Sequence, residues 1–156
     1  MNNQKAFTLV ECMTCMVVLS ILTLIAGPSL RVLKKRTVFR HEVIQLVNSL
    51  QEAKVMAIKN NSFVVLKVTE TGYTIFVDDG SLGGLSGDWE KQDGEKALAS
   101  HFLPDSINLT TTFTLNRTRF NGRIGNKAGR VILTDSMGKR TEIVMSITGR
   151  IRVQKT

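Results

Sequence analysis

An α+β fold is predicted: one long N-terminal helix, with a membrane-suited half and an amphipathic half, packed on small antiparallel β-sheets. Three observations carry this. Residues 7–30 are almost wholly apolar, residues 31–60 repeat apolar side chains at helical spacing, and residues 61–156 hold short alternating runs divided by turn residues. A chain of 156 residues has room for one domain with an appendage. The part beyond the apolar stretch is long enough to bury a single core.

The apolar stretch comes first. From Cys12 to Leu30 run 19 residues without a charge. A helix of that length rises about 28 Å, enough to cross the hydrocarbon core of a bilayer. It lacks the shorter apolar core and the subsequent small-residue cleavage site of an ordinary secretory signal. Glu11 interrupts it. A carboxylate at that depth costs on the order of 3 kcal/mol, so it needs a partner. An amine freed by cutting between Ala6 and Phe7 would lie about one helical turn away, and MNNQKA would be the short polar leader removed. Cys12 and Cys15 are the only cysteines. Their C-x-x-C spacing suits redox chemistry or half a metal site, but no second pair or nearby histidine accompanies it. Both read as small apolar residues on one helix face. The remainder, free of cysteine, suits an oxidising compartment.

Val43, Leu46, Val47, Leu50, Ala53 and Ala57 then mark one helix face, which ends at Asn60-Asn61. Runs 62–70 and 73–79, joined by Thr71-Gly72, predict a hairpin. Residues 80–101 are acidic and carry several glycines, and they predict a long loop anchored by Trp89. Residues 106–115 predict a strand or a bent pair, and 130–135 with 140–146 predict a second hairpin. The expected organisation is a leader over 1–6, a membrane and assembly half-helix over 7–30, an amphipathic half-helix over 31–60, and a β-rich globular domain over 61–156.

Charge is unevenly placed. Residues 61–105 hold 3 Lys/Arg against 8 Asp/Glu, whereas residues 106–156 hold 10 against 2. A basic end of this kind predicts a face for a polyanion, with a solubilising surface as the alternative. No nucleophile elbow, phosphate loop or pair of catalytic carboxylates is present, so no enzyme, catalytic residue or cofactor is expected. His41 and His101 lack ligand spacing, and the acids of 78–95 lack the alternation of a calcium loop. In TGRIRV, strand periodicity would put Arg150 and Arg152 on one face and Ile151 and Val153 on the core face, with Gly149 allowing a tight turn. Arg117, Arg119, Arg123, Lys127 and Arg130 lie in a glycine-rich segment expected to be mobile. Together these seven cations would make a groove tracking a phosphate backbone. Only Phe120 is interleaved with them, so base stacking is not expected.

KAFTLVE, residues 5–11, resembles the class III signal of type IV prepilins and pseudopilins. The resemblance implies a pilin-like fold, cleavage between Ala6 and Phe7 by prepilin peptidase, N-methylation of Phe7, and Glu11 as an assembly residue. Pro28 matches the family's helix proline, and Ala6 stands where the family usually has glycine. The C-terminal G-R-x-R at Gly149, Arg150 and Arg152, preceded by the F-x-G-R-x-G of 120–125, is similar to the FimT/GspH family. Its FimT branch binds DNA during natural transformation through G-R-x-R. The resemblance thus implies a minor pilin that takes up DNA, with DNA, other pilin or pseudopilin subunits, prepilin peptidase and inner membrane lipid as partners. It implies one pass through the bacterial inner membrane, the C-terminal domain in the periplasm or, once assembled, outside the cell. The alternative is a structural subunit at the tip of a type II secretion pseudopilus or type IV pilus, without DNA binding. A third reading is a signal-anchored domain that never polymerises. Arg31, Lys34, Lys35, Arg36 and Arg40 oppose the implied orientation by the positive-inside bias; the leader motif is the more specific signal.

Overall fold

The computed structural model describes residues 8–80, 85–121 and 127–155. Helix α1 spans Leu9–Asn60 and belongs to two compact units, 1–38 and 39–156. In the first unit Leu9, Val10, Met13, Met16, Val17, Val18 and Leu19 are all exposed, on every side of the helix. The polar side chains there are satisfied locally, Ser20 donating to the Met16 carbonyl and Thr23 to that of Leu19. Such a surface suits hydrocarbon, where backbone and hydroxyl groups must find partners within the helix. Among the described residues no single helix is long and apolar enough to cross a membrane, but the bent pair Leu9–Ile25 and Ser29–Asn60 passes that test together by length and composition. The break holds Gly27 and Pro28: proline brings no N–H to the helical ladder, and glycine lowers helix propensity.

In the second unit α1 becomes amphipathic. Phe39, Val43, Leu46, Leu50, Ala53 and Ala57 are buried at steps of four and three, which keeps one stripe facing inward. Two four-stranded antiparallel sheets complete this unit. Sheet A has the order β3-β2-β1-β5, from Ala97–Phe102, Gly72–Asp78, Phe63–Thr69 and Arg117–Asn121. Sheet B has the order β4-β6-β7-β8, from Ile107–Thr111, Gly129–Asp135, Arg140–Met145 and Ile151–Lys155. The inner face of sheet A buries Val64, Leu66, Val68, Tyr73, Ile75, Val77, Thr118 and Phe120. Ties to the helix are polar as well: Tyr73 bonds Ser49, and His101 places Nε2 2.7 Å from Glu42 and Nδ1 3.1 Å from Gln45. His101 is thus a packing residue between β3 and α1. Gly72 is needed where it sits, since a Cβ there would lie 2.1 Å from the His101 carbonyl oxygen.

Two sequence expectations change. The loop predicted over 80–101 gives way to β3 from Ala97, paired with β2. This edge strand contains no buried residue, so its sequence carries no apolar alternation, and only the free edge of β2 recruits it. Likewise, part of the segment expected to be mobile is β5, in register with β1 from Arg117 to Asn121. The run 106–115 resolves into β4 and then a 3₁₀ turn at Thr114–Asn116.

Candidate polyanion-binding face

The turn Ser146–Arg150 joins β7 to β8. Gly149 adopts φ +72°, a left-handed conformation that costs side chains with a Cβ. Ser146 then donates its N–H to the Arg150 carbonyl at 3.0 Å, and the Arg150 N–H donates to Ser146 Oγ at 3.1 Å. Arg150 is therefore the last turn residue rather than a strand residue, and Arg152 is the second residue of β8. Both are exposed. The expected core face is only half realised: Ile151 is half-buried, while Val153 is 43% exposed. The physical cause is position, for β8 is an edge with one neighbour and its inner face overhangs the core.

Register extends this face. Arg152 is opposite Val144, and Val144 is opposite Arg130, so all three share the outer side of sheet B. The next row holds Gln154, Glu142 and Ile132, and Arg140 lies two residues from Glu142 on the same side. Glu142 is buried, and its carboxylate pairs with Arg130 at 3.2 Å and Arg140 at 2.7 Å. One carboxylate shared by two guanidiniums leaves the face net positive, with both guanidiniums held in position. Arg140 was missed in the sequence. The alternation Arg140-Thr141-Glu142 puts it on the Glu142 face, but only strand register places that face beside Arg130 and Arg152.

The remaining cations go elsewhere. On β5, Thr118 and Phe120 point inward, which turns Arg117 and Arg119 to the outer face of sheet A. There the segment after β2 folds back and supplies Trp89. Asp78, fully buried, accepts hydrogen bonds from the backbone N–H groups of Gly87 and Trp89 and so pins that segment. The Arg119 guanidinium lies 4.3 Å from the Phe63 ring centroid and 4.4 Å from that of Trp89. Lys127 Nζ lies 5.1 Å from the Trp89 centroid. Arg117 donates to the Trp89 carbonyl and pairs with Glu90 at 2.6 Å. Glu90 also accepts from Lys67 at 2.7 Å, and the Lys67 hydrogen bond and charge, with Arg117, hold its carboxyl below the usual range. The six described cations of the expected groove thus divide into two groups, one on each sheet, because strand pairing fixes which sheet and which face each arginine takes. Arg123 lies outside the described residues.

At the other end, Ala6 and Phe7 also lie outside the described residues, but Glu11 does not. Its carboxylate accepts from the Thr8 N–H at 2.9 Å and the Thr8 hydroxyl at 2.8 Å, while the Glu11 N–H donates to Thr8 Oγ1 at 3.3 Å. This is a capping box, readable from the T-x-x-E of residues 8–11 yet not anticipated. Cys12 and Cys15 are free thiols.

With this geometry established, comparisons with known proteins are informative. Residues 42–149 match the family of the type II transport protein GspH. The chain belongs to the GspH family. Residues 1–27 match the prokaryotic N-terminal methylation motif, so this GspH-family protein is a minor pilin or pseudopilin with a prepilin-type N-terminus and an apolar helix that fits a membrane anchor. Its fold resembles the type IV minor pilin FimU of Pseudomonas aeruginosa (strain PAO1): TM-score 0.59, 12% identity, 76% of this chain and 90% of that one covered. It also resembles the minor pseudopilin EpsH from the type 2 secretion system of Vibrio cholerae: TM-score 0.50, 8% identity, 79% and 94% covered. No curated protein matches it in sequence. Pilins and pseudopilins of this family are structural components that assemble with other pilin subunits, and nothing in the matches points to catalysis.

Proposed function

We propose that this GspH-family protein is a minor type IV pilin of the FimT branch that binds DNA non-specifically for uptake in natural transformation. The observation that carries the reading is the outer face of sheet B, where exposed Arg152 shares a side with Arg130 and Arg140, and exposed Arg150 ends the turn that leads into the same strand. Guanidiniums on a firm strand surface bind phosphate oxygens through paired N–H groups, and each phosphate neutralised releases counterions. No base-reading device accompanies them on this face among the described residues, so affinity without sequence preference is expected.

In the same reading prepilin peptidase removes residues 1–6 and methylates Phe7, residues 7–30 anchor the chain among inner membrane lipids, and residues 31–156 lie on the periplasmic side until assembly. Glu11 would meet the Phe7 amine of a neighbouring subunit within the filament, exchanging the local bonds to Thr8 for that charge. Mass spectrometry of the mature protein should find a methylated Phe7 start; an intact Met1 start would remove this part.

A second reading has its own support. Arg130 and Arg140 are already paired with Glu142, and the fold resembles both FimU and EpsH, as expected of a structural tip subunit. Titration of the domain from Lys35 onward against short duplex DNA at several salt concentrations separates the two. Wild type should bind with an affinity that falls steeply with salt. The Arg150→Gln/Arg152→Gln variant should lower the salt slope by about 1.8 and lose most binding. Absence of binding at low salt would favour the structural subunit.

A further inference from the structure

A cleft of about 200 Å³ opens on sheet A, lined by Trp89, Thr114, Leu115, Arg117 and Lys127. Its backbone is unusual. Among the described residues four non-glycine positions have positive φ; Trp89 (69°) and Leu115 (57°) line the cleft, and Asn116 (53°) is the next residue of the same turn. A bulky residue in that region persists only where its surroundings hold it, and such positions cluster at ligand sites. Leu115 gains no burial in return, being 73% exposed.

The side chains carry a matching chemistry. An indole is flanked by three cations, and Glu90, which pairs with Arg117, is already shared with Lys67. Lys127 is exposed and rests against the indole, so its ammonium can exchange the ring for a phosphate. An aromatic face beside phosphate-binding cations is the combination that holds single-stranded nucleic acid, since every unpaired base offers a π-face. In a duplex the bases already stack on each other and none is free for the indole. The sequence hid this, because Trp89 stands 28 positions before Arg117 and only the fold brings them together.

We propose that the Trp89 cleft is a second nucleic-acid site that takes one nucleotide of a single strand, base against the indole and phosphate against Lys127 and Arg117. This rests on the nucleic-acid reading of sheet B and adds a strand preference to it. Trp89 is the only tryptophan in the chain, so its emission reports on the cleft directly. The full-length protein in neutral detergent would be titrated with labelled oligothymidylate and with a labelled duplex of equal length, following label anisotropy and Trp89 emission together. Oligothymidylate should quench Trp89 and the duplex should not. Lys127→Gln should weaken the quench severalfold and lower the single-strand salt slope by about 0.7, leaving duplex affinity unchanged. Anisotropy showing binding with unchanged emission, or a quench indifferent to Lys127→Gln, would overturn the cleft and leave the sheet B reading standing. Equal quenching by the duplex would overturn the strand preference. No binding of either probe at low salt would remove both.

Discussion

The two sheets have the same number of strands and are both antiparallel, yet they use their outer faces in opposite ways. On sheet A the outer face is covered, apart from the cleft beside Trp89. Val65 and Phe76 are fully buried there, beneath a segment that Asp78 pins and Trp89 anchors. Arg117 and Arg119 contribute to that cover. On sheet B the outer face is open, and Arg130, Arg140 and Arg152 project from it around one buried carboxylate. Arginines of the same chemistry thus brace a covering segment on one sheet and stand on an uncovered strand surface on the other. What separates them is whether an aromatic ring and a covering segment arrive above the strand. A count of basic residues therefore says little about a binding face until each is assigned to a side of a strand.

The comparison predicts that stability depends on the cover of sheet A and duplex DNA binding on the open face of sheet B. Asp78→Ala should give the largest loss of stability, about 3 kcal/mol, because two backbone N–H groups lose a buried charged acceptor. The urea midpoint would measure it, and Trp89 emission should shift towards that of an exposed indole. An unchanged midpoint would mean that the cover is decoration. Gly149→Ala should cost about 1 kcal/mol through its left-handed backbone. It should also weaken DNA binding by re-aiming Arg150, so it is the one change expected to touch both properties. Arg150→Gln/Arg152→Gln should alter stability by less than about 0.5 kcal/mol, since neither side chain is buried or paired among the described residues. A large stability loss in that variant would erase the contrast between the sheets.

The smallest effect concerns acid. Glu90 lies lower than its ordinary 4.5 in the folded chain, chiefly through Lys67. A depressed carboxyl contributes stability that is present above pH 4.5 and disappears as pH falls through the folded value. Wild type should therefore exceed Glu90→Gln slightly at neutral pH, and the two acid unfolding curves should converge below pH 4.5. Exposure of this pair keeps the difference small.

Much of the architecture was legible because it depends on local periodicity. The buried stripe of α1, the hairpin of β1 and β2 and that of β6 and β7 each announce themselves through spacing of three to four or of two. The prepilin-like N-terminus was legible as a short motif. β3 was not, because an exposed edge strand needs no apolar pattern and takes its conformation from its neighbour. Arg140 and Trp89 were not recognised as parts of basic clusters, because their partners lie across strands or nearly thirty positions away.

The sequence by itself thus determined the helix, its change from apolar all round to amphipathic, the alternation of each clear strand and the sign of the charge at the C-terminal end. Tertiary structure alone decided which strands are neighbours, and hence which side chains share a face. It divided the basic residues between a face covered around Trp89 and a face left open around Glu142. The physical reason is range: periodicity acts between residues a turn or a pleat apart, whereas register and burial depend on elements that the chain brings together only when its core closes.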